Sequence, residues 1–284
     1  MASITDIKYV TPYQPRQLRL DTIARCNAKC LSCHMCMTKR SGEMDKDLIK
    51  QLLRDVSTWN QPLTEIVPVN YGEFFLRKDW YEILVLIASI LPYTQIVIPT
   101  NGSLMDMDKV MRLSKIPTLK IINFSVNAFF DETYKNFMGL PPENIGKIRR
   151  AVAQMRVLRP DVTAWTSMVC DPMYQTDLER DEFIKYWMVC SYPQILPAAS
   201  AGRPNKSPQF PVKLPCRSIF SDIVVGYDGK ISSCCFDADF TLDLGYYKGN
   251  LLKNWRGRKL NTLRRVHNEH ERSKYDLCAR CTFA

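Results

Sequence analysis

Three cysteines stand close together near the N-terminus, Cys26, Cys30 and Cys33, spaced C-x3-C-x2-C at the end of the apolar run 18–24. Thiolates at this spacing on one short loop can each take one iron of a cubane cluster, and they leave the fourth iron without a protein ligand. Iron–sulfur clusters are normally fully ligated by cysteine. Three thiolates therefore leave a coordination position where a small molecule can bind and react. A zinc ion completed by a distant fourth ligand would also gather cysteines, as would thiols buried for packing. Cys36 follows closely enough to compete as a ligand.

A second set closes the chain. Cys216 is followed by Gly229, Cys234 and the adjoining Cys235, and then by the pair Cys278-Ala-Arg-Cys281. Four thiolates, Cys216, Cys234, Cys278 and Cys281, can close a metal site completely, as a cluster or as tetrahedral zinc.

The chain has 284 residues, enough for one large domain and a small one with a real core. Its composition, 46% hydrophobic and 24% charged, is that of a globular protein. The first residues are polar and mixed, unlike a signal peptide, and the most apolar stretch, 83–91, is too short to span a bilayer. A cytoplasmic protein is expected. Eleven cysteines, an odd number without an export signal, favour metal ligation over disulfides. The net charge of +10 is concentrated towards the C-terminus. It suits a solvated helix face, or an anionic substrate or acidic partner. No aromatic-rich RNA-binding pattern accompanies it, so nucleic acid ranks low.

The elements that must position these cysteines follow from the alternation of apolar runs with amphipathic segments. Strands are expected at 17–24, 64–70, 94–99, 119–126, 162–169 and 194–197, and helices at 45–58, 80–91, 106–114, 131–138, 145–158 and 177–190. Asp45, Asp106, Asp131 and Asp177 are candidate helix starts. The pattern predicts an α/β fold, a partial (β/α)6 TIM barrel, with chemistry at the C-terminal ends of the strands. The Pro-rich stretch 199–215 reads as a linker between a first domain, 1–198, and a second, 216–284. The second domain is expected to hold a β-hairpin around Asp228-Gly229 and a helix at 251–267.

Short motifs follow successive strands: Tyr71-Gly72-Glu73-Phe74, Thr100-Asn101-Gly102 and Phe124-Ser125-Val126-Asn127. Singly each is a strand-to-helix turn. In this order, behind the C-x3-C-x2-C loop, the set resembles the radical S-adenosylmethionine (SAM) superfamily. Ser32 stands where that family usually has an aromatic residue, and Tyr71 and Phe74 replace Gly and Pro of its Gly-Gly-Glu-Pro-like motif. The resemblance implies that Cys26, Cys30 and Cys33 hold a SAM-binding [4Fe–4S] cluster. It also implies that Gly72, Glu73, Thr100, Asn101, Ser125 and Asn127 contact SAM, and that Met168 packs on its adenine. Cys-x12-Gly-x4-Cys, Leu-Gly-Tyr-Tyr-Lys-Gly-Asn-Leu and the closing CxxC resemble the SPASM/Twitch extension. That implies an auxiliary [4Fe–4S] cluster on Cys216, Cys234, Cys278 and Cys281, in the shorter Twitch form.

The implied activity is reductive cleavage of SAM to a 5′-deoxyadenosyl radical, with electrons from a flavodoxin- or ferredoxin-type donor. The radical takes hydrogen from a small sugar- or cyclitol-like substrate. The auxiliary cluster then assists oxidation, as in the 2-deoxy-scyllo-inosamine dehydrogenases that this four-Cys spacing resembles. A dehydrogenase-type oxidoreductase is the favoured reading. The alternatives are a SPASM peptide maturase, a redox-neutral epimerase with a Cys hydrogen donor, and a zinc or iron–sulfur nucleic-acid-binding protein. Cys36, Cys170, Cys190 and Cys235 remain unassigned, and Cys170, at the end of the fifth strand, is the expected donor. Asp171, Tyr174, Arg203 and Arg217 are candidate substrate groups.

Overall fold

The computed structural model describes residues 7–198 and 214–283, apart from the Cys36 side chain. Arg203 and most of the Pro-rich stretch thus lie outside the described residues. Strands β1 (Gln17–Leu20), β2 (Glu65–Val67), β3 (Gln95–Thr100), β4 (Leu119–Ser125), β5 (Thr163–Cys170) and β6 (Tyr192–Pro197) pair in parallel, each with the next. Between and after them run helices α1 (Lys46–Ser57), α2 (Trp80–Ile90), α3 (Met107–Leu113), α4 (Asp131–Met138), α5 (Glu143–Leu158) and α6 (Asp177–Trp187). The sheet is open, in the order β6-β5-β4-β3-β2-β1-β7-β8. It is the partial barrel that the alternation predicts.

Strand parity sets the two layers. Leu18 and Leu20 are fully buried towards the helices, so Arg19 between them faces the other side of the sheet. On α1 the stripe Ile49, Leu52, Leu53 and Val56 docks against the sheet. Asp45 caps that helix, its carboxylate accepting the Asp47 amide at 2.7 Å, and Asp106 caps α3. Asp131 and Asp177 are not caps. They sit in the first turn, where a carboxylate meets the helix dipole. The cap residues are Phe130 and Thr176, whose hydroxyl accepts the Glu179 amide.

The first strand ends at Leu20 rather than at residue 24. Asp21 buries its carboxylate on the Tyr71 amide, and Ile23 bridges to Glu43 instead of continuing the ladder. The C-terminal part is also joined to the barrel more closely than a separate domain would be. After the turn α7 (Ser218–Ser221), strand β7 (Asp222–Val225) pairs in parallel with β1, and β8 (Ile231–Ser232) forms the expected hairpin on it. The tail helix is two helices, α8 (Leu251–Trp255) and α9 (Arg258–Asn268), because Gly257 is extended and starts the second. The short α10 (Asp276–Ala279) carries Cys278. Among the described residues no helix is long and apolar enough to cross a membrane.

Candidate active site

The loops at the C-terminal ends of β1 to β5 enclose a cavity of about 410 Å³, within the usual range of ligand sites. Cys26, Cys30 and Cys33 open onto it, with Gly72, Glu73, Thr100, Asn101, Ser125 and Asn127. The motifs read from the sequence are therefore brought together.

Much of their side-chain capacity goes into holding the cysteine loop. The buried Glu73 carboxylate accepts the Thr100 hydroxyl at 2.8 Å, the Asn101 amide at 2.7 Å and the Phe75 amide at 3.2 Å. Burial raises its pKa and these bonds pull it back down. The Glu73 amide donates to Arg25 O at 2.9 Å, just ahead of Cys26. Gly72 makes that approach possible with φ +125. Asn101 Nδ2 donates to Asn27 Oδ1 at 2.9 Å and to Cys26 Sγ at 3.6 Å. The far side of the loop is tied to α4, with the Lys29 and Leu31 amides on Met138 O and Phe137 O. Cys30 Sγ lies 3.3 Å from Met138 Sδ. Asn127, with φ +61, donates to the same sulfur at 3.1 Å and accepts the Val169 amide at 2.8 Å.

The donor set fits a cluster at this loop. The Ala28 and Met35 amides point at Cys26 Sγ and Cys33 Sγ, both at 3.4 Å, and amide donors favour the charged thiolate. Among the described residues no three His, Cys, Asp or Glu side chains converge as ligands of a single ion do. The three thiols are spread along the wall of one cavity instead.

The second set is gathered behind the same cavity. Cys234 interacts electrostatically with Cys216 and Cys278, and Cys278 with Cys216 and Cys281. Burial, then mutual repulsion, raises the Cys216, Cys234 and Cys278 thiols, Cys278 to about 12 against the pull of Arg272. Arg272 is 2% exposed, and among the described residues its Nε has no hydrogen-bond partner. Its Nη1 donates to Leu214 O and Phe283 O. A buried cation acting on Cys216 and Cys278, without a carboxylate partner among the described residues, calls for anionic charge there, which a thiolate-ligated cluster supplies. His267 is held neutral by burial, its pKa lowered to about 4, so Nδ1 accepts the Cys216 amide at 3.1 Å. Asp237 accepts from Ser232, Thr241 and Leu242 and fixes the turn after Cys234. Sequence spacing did not single out Arg272, His267 or Asp237.

Two expectations are corrected by strand parity. Val169 lines the cavity, so Met168 and Cys170 on either side of it point away. Met168 is fully buried in the hydrophobic core, and Cys170 Sγ lies 3.5 Å from Arg180. Cys235 opens onto the cavity instead, with Phe236 and Phe283. Asp171, Tyr174 and Arg217 are outside its lining: Asp171 caps a local turn, Tyr174 meets Phe137 edge-on, and Arg217 is exposed ahead of α7. Cys190 packs against the core beyond α6. Two cavity groups were missed, Arg19 and Tyr71. The polar Arg19 between Leu18 and Leu20 was the available signal.

Residues 20–186, more than half of the chain, match the family model described as the radical SAM superfamily. Residues 216–282 match one described as an iron–sulfur cluster-binding domain, SPASM. No curated protein sequence matches. Among solved structures the chain is similar to BtrN in complex with AdoMet and 2-DOIA, at 17% identity and TM-score 0.70, covering 97% of this chain and 94% of that one. It is also similar to Streptococcus suis SuiB bound to S-adenosylmethionine, at 14% identity and TM-score 0.69, covering 88% and 68%. For anSMEcpe with bound AdoMet the values are 14% identity and TM-score 0.68, covering 93% and 88%. At these identities the likeness is one of fold.

Proposed function

The chain is a member of the radical SAM superfamily and carries a SPASM domain in its C-terminal part, and from this we propose that it oxidises a small hydroxylated molecule of sugar or cyclitol size. Membership implies a [4Fe–4S] cluster with SAM, and the SPASM domain implies auxiliary iron–sulfur. When bound, these groups supply hydrogen-atom abstraction at one end of the cavity and an electron sink at the other.

One observation carries the reading. A single cavity is lined by Cys26, Cys30 and Cys33 and also by Cys235, Phe236 and Phe283, neighbours of Cys234 and Cys281. A substrate in that cavity lies between the two cysteine sets. Around it the chain excludes water and reactive side chains with Val69, Pro99, Val169 and Leu196, and with the stacked wall of His34, Phe236 and Phe283. Glu73 and Asn101 hold the cysteine loop in register. A one-electron donor of flavodoxin or ferredoxin type would reach the exposed rim at Asn27, Lys29 and Leu31.

Of the solved neighbours, BtrN is crystallised with 2-DOIA, whereas SuiB and anSMEcpe are also crystallised with peptides. The redox-neutral alternative has one observation in its favour: the Cys235 thiol, placed on the cavity wall, could return a hydrogen atom. Mass balance in D2O with a candidate substrate separates the two. Oxidation gives a product two mass units lighter, with no solvent deuterium at carbon. A product of unchanged skeleton carrying one solvent deuterium would replace oxidation by hydrogen return.

A further inference from the structure

The unspent polar capacity of this cavity lies in two donors. Arg19 reaches in from β1, and among the described residues its guanidinium has no hydrogen bond and no carboxylate within ion-pair distance. Its Nε is buried without a partner. Tyr71, 9% exposed, lines the same cavity, and its hydroxyl too is buried without a partner among the described residues. Both line the same cavity as Cys235, and the Cys235 thiol feels the charge of Arg19 and acts on Tyr71. Tyr71 also senses Cys33, and both donors line the cavity onto which Cys26, Cys30 and Cys33 open. Asp222 on β7 is the acid nearest in effect to Arg19, and it is engaged by the Ser221 hydroxyl instead.

Buried donors without acceptors are costly unless a ligand satisfies them. A guanidinium and a phenol together ask for adjacent acceptor oxygens with negative charge. We infer that Arg19 and Tyr71 form the subsite for a substrate carboxylate. The inference rests on the reading of this cavity as the substrate site. A phosphate monoester fits less well. It carries roughly −1.5 to −2 charge at neutral pH, and a single guanidinium offsets only one unit. A carboxylate at this position fixes one end of the substrate against the C-terminal cysteines and turns the rest of its carbon skeleton towards the Cys26–Cys33 loop.

The test is a binding measurement that does not use turnover, so it stands or fails separately from the oxidation reading. The probes are sodium acetate, its neutral isostere acetamide, and inorganic phosphate, at constant ionic strength, with anaerobically reconstituted protein and SAM. The readout is the melting midpoint of wild type, Arg19→Gln, Arg19→Lys and Tyr71→Phe, with SAM binding followed by equilibrium dialysis. Acetate at about ten times its dissociation constant should raise the wild-type midpoint by roughly 2 °C, and acetamide should not. Arg19→Gln should lose the shift, and Tyr71→Phe should lose part of it. Arg19→Lys, which keeps the charge without the planar fork, should retain part of it. An acetate shift of equal size in Arg19→Gln, its absence in wild type, or a larger shift with phosphate overturns the assignment. Loss of SAM binding in Arg19→Gln would give the guanidinium to SAM and overturn it as well.

Discussion

Replacing Gly72 by Ala tests how the cysteine loop is held. Gly72 has φ +125, a region that costs a residue with a Cβ about 1–3 kcal/mol. A Cβ there would lie 2.3 Å from Ile23 O and 2.8 Å from Arg25 O. Both atoms belong to the backbone, and no side chain can swing aside to relieve the contact. The segment that must shift leads directly to Cys26, and shifting it strains the bond from the Glu73 amide to Arg25 O, worth about 1 kcal/mol. The total is about 2–4 kcal/mol, or a fall of about 3–7 °C in melting midpoint for a chain of this length. Part of the iron held by the loop should be lost with it. Gly249 is the control. It also has positive φ, but nothing lies within 4 Å of its added Cβ, so Gly249→Ala should pay only the conformational cost, about 2–5 °C. Midpoint and iron content are measured on both variants. If Gly72→Ala melts within a degree or so of Gly249→Ala and keeps full iron, the close backbone approach does not position the loop.

Asp21 and Arg272 give two further expectations. Burial raises the Asp21 pKa from 3.8 to about 7, so the folded protein binds this proton more tightly than the unfolded chain. Its contribution is therefore fully favourable below about pH 4 and is lost as pH rises towards 7. Asp21→Asn keeps an acceptor for the Tyr71 amide, so its stability relative to wild type should rise between pH 5 and pH 8, by at most about 3 kcal/mol. Equal differences at the two pH values would show that Asp21 does not titrate there. Arg272→Gln removes the buried cation beside the C-terminal cysteines and should lower iron from about eight to about four per chain while the first site remains loaded. Unchanged iron would show that its charge is not needed.

Much of this was legible in the sequence because period and punctuation are local. Each of the six barrel strands was found from its apolar run. Asp45 and Asp106 marked helix starts, and the order of Gly-Glu, Thr-Asn-Gly and Ser-x-Asn placed the cavity. The misses share a physical cause. The inward or outward direction of Met168, Val169 and Cys170 depends on register, and a one-residue error reverses it. Cys234 and Cys235 differ in the same way, one towards the other cysteines and one towards the cavity. The attachment of β7 to β1 is a long-range pairing with no local signal. The break at Gly257 was readable, since glycine in a helical pattern weakens it, but the apolar stripe on both sides masked it. Thr176 and Phe130 took the cap positions because the following Asp residues fit equally well in the first turn.

The central claim is that two iron–sulfur sites, one on each cysteine set, face a single cavity. Iron, sulfide and 5′-deoxyadenosine should be measured on anaerobically reconstituted wild type and on a Cys26→Ala, Cys30→Ala, Cys33→Ala variant given SAM and dithionite. About eight irons falling to about four, with 5′-deoxyadenosine abolished, is the predicted result. About four irons falling to none, or a variant that still forms 5′-deoxyadenosine, would contradict it.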